Sequence, residues 1–384
     1  MKTKLLLSAF LFSFTSLIFA QCPGSPPPGY TCIPDNNFEQ YLITNGIDSE
    51  ATLDGQILTS DINTRQILDV TGVGISDLTG IQDFAALQTL TCPNNSLTSL
   101  GLSSNTMLLT LNCNNNLLTS IDVMGCNSLN YITCTDNDLT TLDLSNKGNL
   151  EQVRATNNPN LSSLDLSSSN FLRVLIANST SISDLDLSSK TNLQYLECSD
   201  GNLSSLLIGA APSLYHLLVN NNQLTTLDLT SCGQPVTALT VIINCDDNLL
   251  NELNIKNGDN TRIDTFSALN NNLTCITVDD DVYSTTNWTN IDPGVAFSTN
   301  CALSVDDFKT PIISVFPNPS KGKIYVGLKT KSSYSLYNVI GQEMKRGTFA
   351  SGNNELDIHA LSNGVYFLKV ESANKKLVKR IIKN

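Results

Sequence analysis

From Leu87 onward the chain sets its apolar residues at fixed intervals. Numbering Leu87 as position 1 of a unit, apolar side chains stand at positions 1, 4, 6, 11, 14 and 16 and an asparagine at position 9, and position 1 recurs at Leu108, Leu129, Leu150, Leu172, Leu193 and Leu214. A degenerate copy starts near Arg65, and two late ones start near Thr240 and Ile263, after an insertion around Ser231 to Thr237. The two-residue alternation at positions 4 and 6 predicts one short strand per unit, and positions 11, 14 and 16 line a returning arm. Each unit then has one apolar edge that it cannot bury alone, so neighbouring units must stack. Parallel strands spaced ~4.8 Å apart turn about ten such coils into a solenoid of about 45 Å.

The pattern L-x-x-L-x-[LC]-x-x-N-x-L at this period resembles the leucine-rich repeat, and the resemblance covers residues 65–278. The fold class expected is mostly β: a leucine-rich-repeat solenoid of about ten 21–23-residue coils with a short helical N-terminal cap, followed by a small C-terminal Ig-like β-sandwich. The organisation expected along the chain is a signal peptide 1–20, an N-terminal cap 21–64, the solenoid 65–278, a C-terminal cap 279–303, a linker 304–311 and a terminal β-domain 312–384.

Polar residues repeat too. Position 9 is asparagine at Asn95, Asn116, Asn137, Asn158, Asn222, Asn248 and Asn271, with Thr180 and Gly201 as exceptions. A carboxamide supplies both donor and acceptor to a turning backbone, which predicts a structural asparagine ladder. Position 15 carries Asp122, Asp143, Asp165, Asp186 and Asp228. These predict a solvated acidic face whose carboxylates accept local amide bonds; a cation ladder would need several converging oxygens, and no metal or other cofactor is expected.

Five of the 11 cysteines (Cys92, Cys113, Cys134, Cys198 and Cys245) take position 6, which faces the core, and are expected to stay reduced because in-register strands hold their Cβ atoms near ~4.8 Å, too far for a good bridge. Cys126 and Cys232 share position 19 five coils apart, beyond bridging distance. Cys22 with Cys32 and Cys275 with Cys301 flank the two ends and are expected to close disulfide loops.

An open stack needs caps at its ends. "DNNFEQYLITNG" predicts a helix with Asn36 as N-cap, Glu39 three residues on and Asn45-Gly46 as the stop, and a second short helix opens at Ser60. At the other end Trp288 is expected to pack over the last coil. From "IPDNNFEQYL" to "STNC" the layout resembles secreted leucine-rich-repeat proteins of Bacteroidetes bacteria.

Beyond residue 311 short alternating strands are separated by Gly, Asn and Pro. "FPNP" at Phe316, Pro317, Asn318 and Pro319, "YNVIGQ" with Gly341, and "GVYFLKV" with Gly364 and Tyr366 before a basic end that includes Lys379 are similar to the type A C-terminal sorting domain of the type IX secretion system. That resemblance implies contact with the type IX translocon and sortase, passage across the outer membrane of a Gram-negative bacterium, and secretion or display on the cell surface.

The remaining composition agrees with export. The first residues carry Lys2 and Lys4, then an apolar run ending at Ala20, the layout of a cleaved secretory signal. Gln21 stands where a lipid-anchored Cys22 would need a small residue, and no later apolar run approaches the ~20 residues of a membrane span, so no transmembrane segment is expected in the mature protein. Residues 309–384 hold 13 of the 22 Lys+Arg but 4 of the 35 Asp+Glu, leaving 9 against 31 before them. So acidic a main domain repels phosphate backbones and excludes nucleic acid as its partner.

The chain has only two histidines, His216 and His359, and no H-E-x-x-H, G-x-S-x-G, phosphate loop or C-x-x-C, which argues against an enzyme. What repeated strands do offer is a surface. Outward positions 3 and 5 bring an apolar group (Val174, Ile176, Tyr195, His216, Leu218 and Ile242) onto one face, edged by Tyr131, Arg154 and Glu197. Such a patch is the expected binding site for an extracellular protein or glycan on a monomeric, non-enzymatic recognition or adhesion protein. The alternative is an accessory subunit or degradative surface enzyme acting on extracellular polymers.

Overall fold

The computed structural model describes residues 26–232, 240–301, 314–328, 330–372 and 375–384. The signal segment, Cys22, the 304–311 linker and most of the insertion after Cys232 lie outside the described residues. The chain divides into two units, Met1–Cys301 and Ala302–Asn384.

The first unit is a β-solenoid. Its main sheet has eleven parallel strands in chain order, from Ile67–Asp69 to Asn290–Ile291, with neighbours one coil apart paired in register except for one shift between Val241 and Ile242 against Ile263–Ala268. Positions 1, 4, 6, 11, 14 and 16 point inward as the pattern requires: Leu108, Leu111, Cys113, Leu118, Ile121 and Val123 of one coil are all buried in a single core that runs from Ile33 to Phe297. The returning arms also carry short strands, paired in three two-stranded sheets and one four-stranded sheet. The segment after Val278 adds one more strand to each side, Asn290–Ile291 and Ala296–Ser298, so the stack has eleven rungs where the repeat pattern alone shows about ten.

Register is held by polar side chains as much as by leucines. Asn137 donates through Nδ2 to the carbonyls of Cys113 (3.1 Å), Cys134 (3.1 Å) and Thr135 (3.2 Å) and accepts the Leu118 amide at 3.0 Å, stitching two coils together. Asn116, Asn158, Asn222 and Asn248 repeat this set. Buried backbone groups at the turn would otherwise go unpaired. The preceding position 8, not singled out by the repeat pattern, is left-handed in nine successive coils, from Asn94 (φ 58°) to Asn270 (φ 56°). Asn or Asp fills it everywhere except Ser179, because these residues tolerate that conformation best after glycine. Their side chains also bond in pairs between coils: Asn115 to Asn94 (2.6 Å), Asn157 to Asp136 (2.7 Å), Asn221 to Asp200 (2.6 Å) and Asn270 to Asp247 (2.8 Å).

The position-15 carboxylates are spent locally. Asp122, Asp143, Asp165, Asp186 and Asp228 each accept the amide two residues on, at 2.8–2.9 Å. Position 19 closes each coil and is buried whatever its chemistry: Asn105, Cys126, Lys147, Ser169, Lys190, Ala211 and Cys232. The two lysines thread apolar stems through the core and bring Nζ to the carbonyls of Met124 (3.5 Å) and Ser167 (3.4 Å). Nothing in the repeat pattern foretells a buried amine.

The caps differ in detail from the expected ones. The first helix spans Asn36–Thr44, and Asp35 rather than Asn36 is its N-cap, accepting from the amides of Asn37 (2.9 Å) and Phe38 (3.0 Å). Its second oxygen takes the Ser76 amide and hydroxyl (both 2.8 Å) and the Asp77 amide (3.1 Å), tying cap to solenoid. Glu39 does not turn back to the cap; it is buried and accepts the amides of Asp54 and Gly55, both at 2.7 Å, which ties the helix to the loop before the next strand. A second helix covers Thr59–Ile62. At the far end Trp288 lies buried against Phe266 (ring centroids 4.6 Å apart) and Phe297 (5.7 Å), sealing the last coil. Cys275 and Cys301 are disulfide-bonded there, and Cys32 is disulfide-bonded at the N-terminal end.

The second unit is a β-sandwich of a three-stranded and a four-stranded antiparallel sheet around Ile324, Val326, Leu336, Phe349, Leu368 and Ile381.

Three outcomes follow from this anatomy. Asn221→Ala and Asn221→Gly both lose the bond to Asp200, yet Ala should cost about 1 kcal/mol more because it resists the left-handed backbone; equal urea midpoints would contradict that account. For Asp35, burial pushes the carboxyl up, but hydrogen bonds from Ser76, Phe38 and Asp77 outweigh it and hold the group below its ordinary value. A depressed carboxylate contributes stability in full above its unfolded value, near about 4, and loses it as pH falls through the folded value. Asp35→Ala should therefore cost about 1–3 kcal/mol at neutral pH, with the gap to the parent protein closing as denaturation is measured at progressively lower pH. Burial also pushes the thiols of Cys92, Cys134 and Cys198 up to about 12 and raises those of Cys113 and Cys245. The seven free cysteines of the described residues should thus ignore Ellman's reagent in the native protein and react only after guanidinium unfolding.

Candidate ligand-binding face

Strand pairing fixes which outward side chains meet. Position 3 runs in register through Thr89, Thr110, Tyr131, Gln152, Val174, Tyr195, His216 and Ile242, and position 5 through Thr91, Asn112, Thr133, Arg154, Ile176, Glu197, Leu218 and Asn244. The rung from Val174–Ile176 through Tyr195–Glu197 and His216–Leu218 to Val241–Asn244 thus brings together all the apolar residues read from the sequence, with Arg154 one rung before and Tyr131 two rungs before. Except for exposed Arg154, these side chains are half-buried by their own neighbours, so the patch is a smooth band rather than a protruding one.

Its middle is rigid. The Tyr195 and His216 rings stack, with centroids 3.8 Å apart and 4° between planes, and Tyr215 meets Tyr195 edge-on at 6.2 Å. Glu197 accepts the Tyr195 hydroxyl, bonds His216 Nε2 at 3.0 Å and accepts Asn178 Nδ2 at 3.0 Å. Burial would raise the Glu197 carboxyl, but the bonds from Tyr195, Asn178 and His216 hold it below its ordinary value. The same geometry, burial first and the Glu197 bond second, pushes the Tyr195 phenol up to about 12. The proton therefore stays on tyrosine and the charge on glutamate, with side-chain exposures of only 14% for His216 and 16% for Glu197. Asn178 extends the network to the Ser199 amide (2.7 Å), and the Ser199 hydroxyl donates to Asn220 (2.8 Å). The sequence pattern marks Tyr195, Glu197 and His216 as neighbours on the face; Asn178 and Ser199, at position 7 just past the strands, escape it because that position carries no periodic signal.

Among the described residues no group of His, Cys, Asp and Glu is arranged to hold a metal ion, and no helix is long and apolar enough to cross a membrane.

In the second unit Asn318 clamps the last strand, donating to the Arg380 carbonyl at 2.8 Å and accepting the Ile382 amide at 2.7 Å. It sits between Pro317 and Pro319, and the exposed Phe316 ring stacks on Tyr325 at 5.8 Å. Gly341 takes φ 80° in the hairpin that follows Asn338, where a side chain would be strained, and Gly364 opens the strand Gly364–Ser372. Tyr366 is buried and donates to the Ser362 carbonyl at 2.8 Å, whereas Lys379 is exposed on the final strand.

Residues 314–384 match the secretion system C-terminal sorting domain. No curated protein matches the chain. Among solved structures, the functional domain of InlJ from Listeria monocytogenes, described as including a cysteine ladder, is 27% identical with a TM-score of 0.49, over 64% of this chain and 58% of that one. The internalin InlF of the same organism is 16% identical over 68% of this chain and 95% of its own, with a TM-score of 0.32. A leucine-rich-repeat protein of Leptospira interrogans is 19% identical over 57% and 69%, with a TM-score of 0.35. The chain thus spans 58% of the InlJ domain, and the solenoid assignment stands on its own repeat and its eleven stacked parallel strands. The chain is an exported leucine-rich-repeat protein whose type IX C-terminal sorting domain directs it to the cell surface or out of the cell.

Proposed function

We propose that the solenoid is a non-enzymatic recognition and adhesion module, in which the band formed by Val174, Ile176, Tyr195, His216, Leu218 and Ile242, edged by Tyr131, Arg154 and Glu197, docks an extracellular protein or glycan. The observation that carries this reading is the pre-organised centre of the band: an aromatic stack whose hydrogen-bonding partners are already ordered before anything binds. Rigid, half-buried aromatic groups lose little entropy on docking and are the kind of anchor that dominates interfaces. In the same reading the type IX translocon and sortase handle the terminal domain, and the mature protein acts as a monomer at the cell surface or in the medium.

The reading of an accessory subunit or degradative surface enzyme would draw on Glu197 and His216. Their bonds hold both in a flat sheet, where a polymer could lie across them but would not be enclosed.

The test is a binding screen of the full chain against polysaccharides, peptides and host-surface proteins, beside the triple variant Tyr195→Ser, Leu218→Ser, Ile242→Ser. The expected outcome is saturable binding without turnover, weakened at least tenfold in the variant while its circular dichroism stays unchanged. Unaltered binding by a folded variant would reject the band, and turnover of a polymer would favour the enzymatic reading.

A further inference from the structure

The flank of the solenoid carries a second feature, beside the Tyr131 edge of the band. Where each coil ends and the next strand begins, two columns of side chains run side by side: Ser128, Asn149 and Phe171 close their coils, and Leu109, Asn130 and Glu151 enter the strands. Together these six line an open groove of about 430 Å³, within the ~300–1,000 Å³ of small-ligand clefts. Its floor is fixed by backbone bonds between successive coils, Asn130 to Leu109 (2.8 Å) and Glu151 to Asn130 (2.9 Å).

Phe171 is 58% exposed at the edge of this groove, a large aromatic ring on an outward position that carries Ser128 and Asn149 in the two preceding coils. The carboxamides of Asn130 and Asn149 bond no other group among the described residues, so their donors and acceptors are available. Glu151, the only charged lining residue, is already balanced: Arg173 Nη1 lies 3.6 Å away and the Tyr131 hydroxyl donates to it at 3.4 Å. A cationic peptide would have to compete with Arg173 for that carboxylate, whereas a neutral polyol needs only its remaining acceptor capacity. An aromatic face for C–H contacts, two free carboxamides, one hydroxyl and one compensated carboxylate together match a pyranose ring, with an apolar face and hydroxyls around its rim.

We propose that this groove is a saccharide-binding subsite for a neutral hexose unit of a glycan chain, with Phe171 stacking on the ring and Asn130, Asn149 and Glu151 bonding its hydroxyls. It adjoins the band at Tyr131, whose hydroxyl reaches Glu151, but uses none of Tyr195, Leu218 and Ile242. The test is calorimetric titration of the full chain with maltohexaose, cellohexaose, laminarihexaose and chitohexaose. At least one of the four should bind; Phe171→Ala should weaken that binding tenfold or more, Phe171→Trp should retain it, and the Tyr195, Leu218, Ile242 triple variant should leave it unchanged. Because the Phe171 ring is exposed, its removal should leave the melting curve in place, which separates a lost site from a lost fold. Failure of all four sugars at millimolar concentration, equal binding by Phe171→Ala, or binding abolished only in the triple variant would overturn the proposal. So would a groove that takes up hexalysine in preference to every sugar.

Discussion

The structure depends on satisfying a backbone that turns at the same place in every coil. A chain that reverses direction inside a packed stack strands amides and carbonyls where water cannot reach them, at a cost of about 1–3 kcal/mol each. Here the asparagine at position 9 meets three carbonyls and one amide spread over two coils, while the residue before it takes the left-handed turn that lets the side chain reach them. Once this junction is in place, the leucines can only fall into register, and eleven rungs share one interior.

Regularity inside produces variation outside. With the inner positions committed to the core, evolution is free to change positions 3 and 5 without disturbing the stack, and the middle rungs carry aromatic and aliphatic groups where the early ones carry Thr and Asn. The same rungs that support these side chains also shield them, so the face is firm and smooth, and Glu197 at its centre is held by three donors. Firmness favours recognition: a partner meets groups whose ordering has already been completed by folding. The terminal sandwich uses an equivalent logic on a smaller scale, with Asn318 holding the last strand by its two backbone groups.

Much of this was legible before any coordinates. A 21-residue period of leucines, a fixed asparagine and a carboxylate at position 15 each have one economical physical explanation, and inward and outward residues follow from the two-residue alternation of a strand. The role of Trp288 was legible too, since a single large aromatic next to an open end has an obvious surface to cover. The helix cap was misplaced by one residue because Asp35 and Asn36 are equally good local caps, and only Asp35 is also within reach of Ser76 and Asp77, more than forty positions away.

The sequence by itself determined the coil, its inner and outer faces and the destination signalled by its tail, because each of these is encoded by residue type at a repeated or local position. Tertiary structure alone decided the finer contacts: the bonds that tie Asn178 and Ser199 to the Tyr195–Glu197–His216 group, the burial of the lysines at position 19, and the groove beside Phe171. These depend on the stagger between coils and on how neighbouring loops pack, distances set by the summed geometry of the whole stack rather than by any one unit of it.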